Sequence, residues 1–133
     1  MSIFWDPSYS VEVKELDEQH QEFIKILNNF YNSLYQEESR EELGESLNRL
    51  IDYAENHFAT EEKYFDLYGY ELAEEHKNEH RKFKAKVLDF KNRFQAGEEV
   101  TLELVDFLED WLIDHLGNQD KKYIECFHQH GLY

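Results

Sequence analysis

Apolar positions recur at three- and four-residue steps along four long stretches, and the pattern breaks between them. That spacing is helical; a half-buried strand would alternate at every second position. In the first stretch, Leu16, His20, Phe23, Ile24, Leu27, Phe30, Tyr31 and Leu34 share one face, and Asp17 stands where an N-cap is expected. The second opens with Ser39-Arg-Glu-Glu42, a capping box, and its stripe runs through Leu43, Leu47, Leu50, Ala54, His57, Glu61 and Tyr64 or Phe65 to a stop at Gly69. The third carries Leu72, His76, His80, Phe83, Val87, Phe90 and Phe94, and ends at Gly97. The fourth begins near Thr101, a candidate N-cap, and carries Leu102, Val105, Leu108, Leu112, His115 and Leu116, then Asp120, Tyr123, Ile124 and Phe127.

The pattern predicts helices over residues 17–36, 40–66, 70–95 and 101–127, after an extended arm over residues 1–15. Each helix is about 20 to 27 residues long, or up to about 40 Å at 1.5 Å per residue. Short connections make consecutive helices antiparallel neighbours. The expected fold is therefore all-α, an up-down-up-down four-helix bundle formed as a single domain over residues 1–133. The arm, with Trp5 and Pro7, should pack on the bundle, and the tail after Phe127 should be loose.

Composition narrows the classes. One proline and five glycines leave few helix breakers. Cys126 is the only cysteine, so no internal disulfide and no cysteine-built zinc site can form, and an inert packed thiol is expected. Thirty acidic against fourteen basic residues give a net charge of −16, which a nucleic-acid backbone or an anionic membrane would repel. The opening MSIFWDPSYS has no basic patch followed by an apolar run, and no apolar stretch nears the about 20 residues that cross a bilayer. A cytoplasmic protein is expected. Glu37-Glu38 and Glu74-Glu75 read as solvated helix faces, and His128 and His130 as surface residues.

The stripes carry an anomaly. His20, His57, Glu61, His76, His80 and His115 occupy positions where the pattern calls for leucine, and they include five of the seven histidines. An unpartnered buried polar group costs roughly 1–3 kcal/mol, so six of them would consume much of a domain's stability of about 5–15 kcal/mol. They must satisfy one another or something held between them. His57 and Glu61 are four residues apart, as are His76 and His80, so each pair leaves one helix face together. Imidazoles with carboxylates suit iron, zinc, copper or manganese. One tetrahedral zinc needs fewer ligands than these; two octahedral ions bridged by carboxylates need about this many. Asp120 is the expected second bridge. It lies five residues past His115, which an ideal helix would turn by about 140°. A local irregularity is therefore predicted there, with Gly117 permitting it.

Taken in order, His20, then HFATEE, HKNEH and HLGNQD, together with the entry WDPSYSVEVKELDEQH, resemble the hemerythrins, and the single-domain bacterial hemerythrins most of all. The resemblance covers nearly the whole chain and fills seven ligand positions in order. It implies a cofactor of two non-haem iron ions (Fe2+/Fe3+) bridged by an oxo or hydroxo group. His76, His80 and His115 would hold one iron and His20 and His57 the other, with Glu61 and Asp120 bridging both. That set leaves one octahedral position open on the second iron, where dioxygen binds in the family. The two carboxylates and a hydroxide would cancel all but one of the charges of two ferrous ions, which a buried site tolerates.

Phe23, Ile24, Phe58, Trp111, Leu112 and Leu116 lie within a turn of these positions and should form a dry, apolar oxygen pocket. No further acid, base or thiol suggests catalysis. The paired Glu-x-x-His motifs of the ferritin-like di-iron enzymes are missing; the one such spacing, Glu125 to His128, lies apart from the histidines on the stripes. A non-enzymatic dioxygen binder for storage, transport or delivery is the expectation. Oxygen or redox sensing, and an enzyme handling peroxide or nitric oxide, are the alternatives; iron storage or structural zinc is a more distant one. The stripes are used up inside the bundle, which predicts a monomer and leaves an oligomer open.

Overall fold

A computed structural model describes residues 3–36 and 39–133. The first two residues of the arm and the Glu37-Glu38 pair lie outside the described residues. The chain forms α1 (Lys14–Tyr35), α2 (Arg40–Tyr68), α3 (Ala73–Gln95) and α4 (Thr101–Trp111). The fourth column then continues through a π-helical segment, Leu112–Gln119, a 3-10 turn, Asp120–Tyr123, and α5 (Ile124–Gln129). The bundle is antiparallel and four columns thick, as the short connections require, and the described residues contain no strand. α2 packs on both α1 and α3, and α1 packs on α4.

Several boundaries follow from local chemistry. Ser39 caps α2, its hydroxyl accepting from the Glu42 amide at 3.1 Å. Gly69 ends α2 at φ 64°, in the left-handed region that glycine enters without a Cβ penalty. Asp17, in contrast, caps nothing. α1 starts three residues earlier, and the Asp17 carboxylate instead accepts from the Ser10 hydroxyl at 2.6 Å and the Val11 amide at 2.8 Å. It ties the arm to the helix. Thr101 is likewise the first residue of α4 and not its cap; its amide is held by Glu99 at 2.9 Å.

The arm is anchored a second time by reciprocal bonds between Ile3 and Asn28, each 2.8 Å. The tail is also fixed, contrary to expectation. Leu132 donates to the Phe127 carbonyl at 2.9 Å, His128 contacts the Glu12 carbonyl at 2.7 Å, and Leu132 packs on an apolar cluster. His130 is exposed and His128 only partly buried.

Three stripe residues are solvent-facing: Leu34 (36 % exposed), Leu72 (40 %) and Leu102 (61 %). They sit at helix ends, where fewer neighbouring helices are present to cover them. The remaining stripes build two apolar clusters. Phe23, Leu27, Phe58, Phe83, Leu108 and Leu116 belong to the larger. Val11, Leu16, Phe65, Tyr123 and Phe127 belong to the smaller. On every column polar stripe positions fall where one cluster gives way to the other, so the clusters enclose a polar layer.

The π-helical segment resolves the spacing of His115 and Asp120. In a π-turn the amide bonds five residues back, and the Asp120 amide donates to the His115 carbonyl. Residues five apart are thus stacked, and both side chains leave on the same face. The 3-10 turn that follows stacks residues three apart and brings Tyr123 over Asp120. Gly117 does not have positive φ, and a Cβ there would meet only the Leu112 carbonyl, at 3.4 Å. The bulge does not require glycine. Gly117→Ala should change the melting temperature by less than about 5 °C, the gain in helix propensity of about 1 kcal/mol being offset by that contact. Calorimetry of the variant checks this.

Candidate metal centre

Seven side chains from the four columns meet in the polar layer. His20, His57, Glu61, His76, His80, His115 and Asp120 are all buried, none more than 5 % exposed. α1 supplies His20; α2 supplies His57 and Glu61 one turn apart; α3 supplies His76 and His80 one turn apart; the π-helical segment and the turn after it supply His115 and Asp120.

The carboxylates join two groups of histidines. Glu61 Oε1 lies 3.0 Å from His80 Nε2, 3.6 Å from His57 Nε2 and 3.7 Å from His76 Nε2, while Oε2 lies 3.9 Å from His20 Nε2. Asp120 Oδ1 lies 2.9 Å from both His76 Nε2 and His115 Nε2, and Oδ2 lies 3.1 Å from His20 Nε2. His20 and His57 face each other with their Nε2 atoms 3.1 Å apart. Two sets of donor atoms result, each within 4.8 Å: Glu61, His76, His80 and His115, and His20, His57, Glu61 and Asp120.

Most of these atoms are close without being bonded. The Nε2 atoms of His76, His80 and His115, Glu61 Oε1 and both Asp120 oxygens have no aligned hydrogen-bond partner. Buried, unpaired donors and acceptors are expensive, and a cluster of them needs a compensating charge. Donors that sit about 2.1 Å from an octahedral ion are spaced about 3 Å along its edges. The shortest approaches, 2.9 to 3.1 Å, match that spacing. The donor set fits a pair of ions.

The outer ring nitrogens fix which nitrogen faces inward. His57 Nδ1 meets Gln19 Oε1 at 2.6 Å, and His80 Nδ1 meets Glu62 Oε2 at 2.8 Å. Each acceptor takes the Nδ1 proton and leaves Nε2 bare towards the centre. Gln19 is oriented in turn by Thr60, 3.2 Å from its amide nitrogen. For the polypeptide alone, burial opposes a charge on His76, but Asp120 and Glu61 overcome it and push the imidazole up to about 10. Burial pulls His57 down to about 3, against the attraction of Glu61. Burial would raise Glu61 and Asp120, yet the surrounding histidines hold both well below the usual carboxylate range. An entering cation therefore finds charged carboxylates and an undressed His57, and must displace a proton from His76.

Aromatic rings seal the layer. Phe58 stacks on His80 with centroids 3.8 Å apart, and Trp111 stacks on His115 at the same distance. Phe23, Ile24, Leu112 and Leu116 are buried in the larger cluster on the same side, and Trp111 packs against it partly exposed. Phe65 closes the other side, 4.8 Å from His76.

Apolar periodicity assigns no tyrosine to the polar layer, yet Tyr123 reaches it. Its buried hydroxyl donates to Glu61 Oε2 at 2.6 Å. The signal was its place three residues after Asp120, meaningful only once a 3-10 turn is known. Gln19 and Glu62 were missed although each adjoins a proposed ligand in sequence. Tyr53 stacks on His57 at 5.4 Å, and its hydroxyl is buried without a partner among the described residues. Tyr123→Phe keeps the ring and removes one bond to a charged acceptor, worth about 1.5–3 kcal/mol. The metal-loaded variant should melt roughly 5–12 °C lower with its metal content unchanged, as calorimetry and emission spectrometry would show.

A histidine-rich, carboxylate-linked site for two cations within a four-helix bundle defines the class: a di-metal cation-binding protein. Residues 11–127 match the Hemerythrin HHE cation binding domain, and the chain belongs to the hemerythrin family. The bacteriohemerythrin of Pseudomonas aeruginosa is 31% identical over 124 residues, covering 93% of this chain and 80% of that protein. That of Methylococcus capsulatus is 34% identical over 119 residues, covering 89% and 90%. Among solved structures, a hemerythrin with a leucine-to-alanine substitution superposes with a TM-score of 0.88 at 31% identity, covering 95% of this chain and 98% of that one. A wild-type hemerythrin superposes with a TM-score of 0.86 at 32% identity, covering 93% and 96%. No helix among the described residues is long and apolar enough to cross a membrane.

Proposed function

We propose that this chain is a dioxygen carrier, binding the gas reversibly for storage, transport or delivery at two iron ions. In this reading His76, His80 and His115 hold one ion, His20 and His57 hold the other, and Glu61 and Asp120 bridge them. The iron pair supplies the electrons and the binding position for dioxygen. The observation that carries the reading is the unequal division of histidines around shared carboxylates. Asp120 reaches His76 and His115 through one oxygen and His20 through the other, so the two histidine groups differ while the bridge is common.

The rest of the chain's work is positioning and exclusion. Gln19 and Glu62 hold two imidazoles in the ligating tautomer. Tyr123 fixes the Glu61 carboxylate. Phe23, Ile24, Phe58, Trp111, Leu112 and Leu116 form the apolar pocket, which admits a neutral diatomic guest and keeps out the water that would carry protons to it. No acid, base or thiol beyond these groups is placed to move a proton to a substrate, which favours binding over catalysis.

Anaerobic reduction of the iron-loaded protein, exposure to air and removal of oxygen test this by the visible spectrum. A band that appears with oxygen and vanishes without it, over repeated cycles, is expected. A spectrum that bleaches in the first cycle, or substrate turnover with peroxide or nitric oxide, would favour an enzyme.

A further inference from the structure

Two surface recesses reach histidines of the centre, and they differ in kind. One, lined by Gln19, Glu22, Arg49, Asp52, Tyr53 and His57, mixes two acids with a basic residue. Arg49 contributes a positive charge, and Gln19 already occupies His57 Nδ1 at 2.6 Å. The other encloses about 300 Å³ between α3, α4 and the π-helical segment. Glu79, Asp110 and Asp114 line it with Gln119, Trp111 and His115, and no basic residue contributes. None of the three acids has an ion pair or hydrogen bond among the described residues, although the bundle carries many surface pairs.

A second feature points from the recess to the centre. The His115 side chain is 3 % exposed and its Nε2 faces Asp120 at 2.9 Å. Its other ring nitrogen, Nδ1, is buried and unpartnered, and the residue lines the recess. A buried ring nitrogen in this state needs an acceptor or a water held in place there. Trp111 lies flat on the ring at 3.8 Å and forms the apolar side of the mouth. The His115 ring is thus the wall between an acidic recess and the nitrogen-rich interior.

We infer that this recess is the entry site for the metal: a hydrated divalent cation docks among Glu79, Asp110 and Asp114, then passes beside the His115 ring to the seven-residue centre. The inference rests on the metal-centre reading above. Three half-exposed to exposed carboxylates suit a hydrated ion that keeps most of its water, and bind it too weakly to trap it. A cleft of one sign concentrates the opposite ion and raises its rate of arrival. The buried imidazoles then take the ion because nitrogen donors suit ferrous iron better than carboxylates and water do.

The test is the rate of iron uptake, followed without reference to oxygen. Metal-stripped protein is mixed anaerobically with ferrous ammonium sulfate, and iron protected from a ferrous chelator is counted against time. The triple variant Glu79→Gln/Asp110→Asn/Asp114→Asn should load about tenfold more slowly, with weaker salt dependence, and reach the wild-type plateau. A control that removes the same number of charges elsewhere, Glu22→Gln/Glu45→Gln/Asp52→Asn, should load at the wild-type rate. Unchanged uptake by the recess variant, equal slowing in the control, or a lowered plateau would each overturn the entry role. Wild-type protein that protects no iron would instead remove the metal-centre reading on which the proposal stands.

Discussion

Glu61→Ala should leave the chain with no more than one iron and lower its melting temperature by roughly 10–20 °C. Glu61 is the only residue whose oxygen approaches histidines from both groups within one carboxylate atom, reaching His80 at 3.0 Å and His57 at 3.6 Å. Its other oxygen anchors the Tyr123 hydroxyl. In the proposed site truncation would remove a ligand from both ions at once; it also strands the Tyr123 hydroxyl and leaves Asp120 among unpaired imidazoles. Removing one partner of a buried charged cluster costs about 3–5 kcal/mol, and each kcal/mol moves a chain of this size by about 3–5 °C. Emission spectrometry and calorimetry read the two effects. Two irons retained in the variant would show that Glu61 is not a bridge.

Removal of both ions should be as severe. A ligand that binds only the folded state stabilises it by about 4 kcal/mol at a concentration a thousandfold above its dissociation constant. Stripping iron with a chelator under reducing conditions should therefore lower the melting temperature by roughly 15 °C. The helical signal should survive at low temperature, because the two apolar clusters lie on either side of the centre and do not pass through it. The loss should be local. Amide protection should fall first in residues 112–123, where the π-helical register is set beside His115 and Asp120. Coincident melting curves for loaded and stripped protein would mean that the seven side chains satisfy one another.

Much of this was legible in the residues. The helical columns follow from apolar spacing because each helix buries one stripe against its neighbours, and the buried polar cluster stood out because its members interrupted those stripes. Even the irregular backbone before Asp120 was legible, since a five-residue step fits no regular α-helix. The parts that were not legible depend on tertiary neighbours. Asp17 has the chemistry of a cap, but Ser10 and Val11 from the arm claim its carboxylate. Leu34, Leu72 and Leu102 continue the apolar pattern past the ends of the bundle, where nothing covers them. Tyr123 reaches Glu61 only because a π-turn and a 3-10 turn succeed each other, and periodicity at a single helical period cannot express that change. The tail looked unconstrained because its anchors, Glu12 and Phe127, are a carbonyl in the arm and one in the last helix.

Two ions sharing Glu61 and Asp120 would be seen directly by anomalous diffraction at the iron absorption edge. Crystals of the iron-loaded protein should give two peaks in the polar layer, one against His76, His80 and His115 and one against His20 and His57, with both carboxylates between them. A single peak, or iron seated away from these seven side chains, would contradict this arrangement.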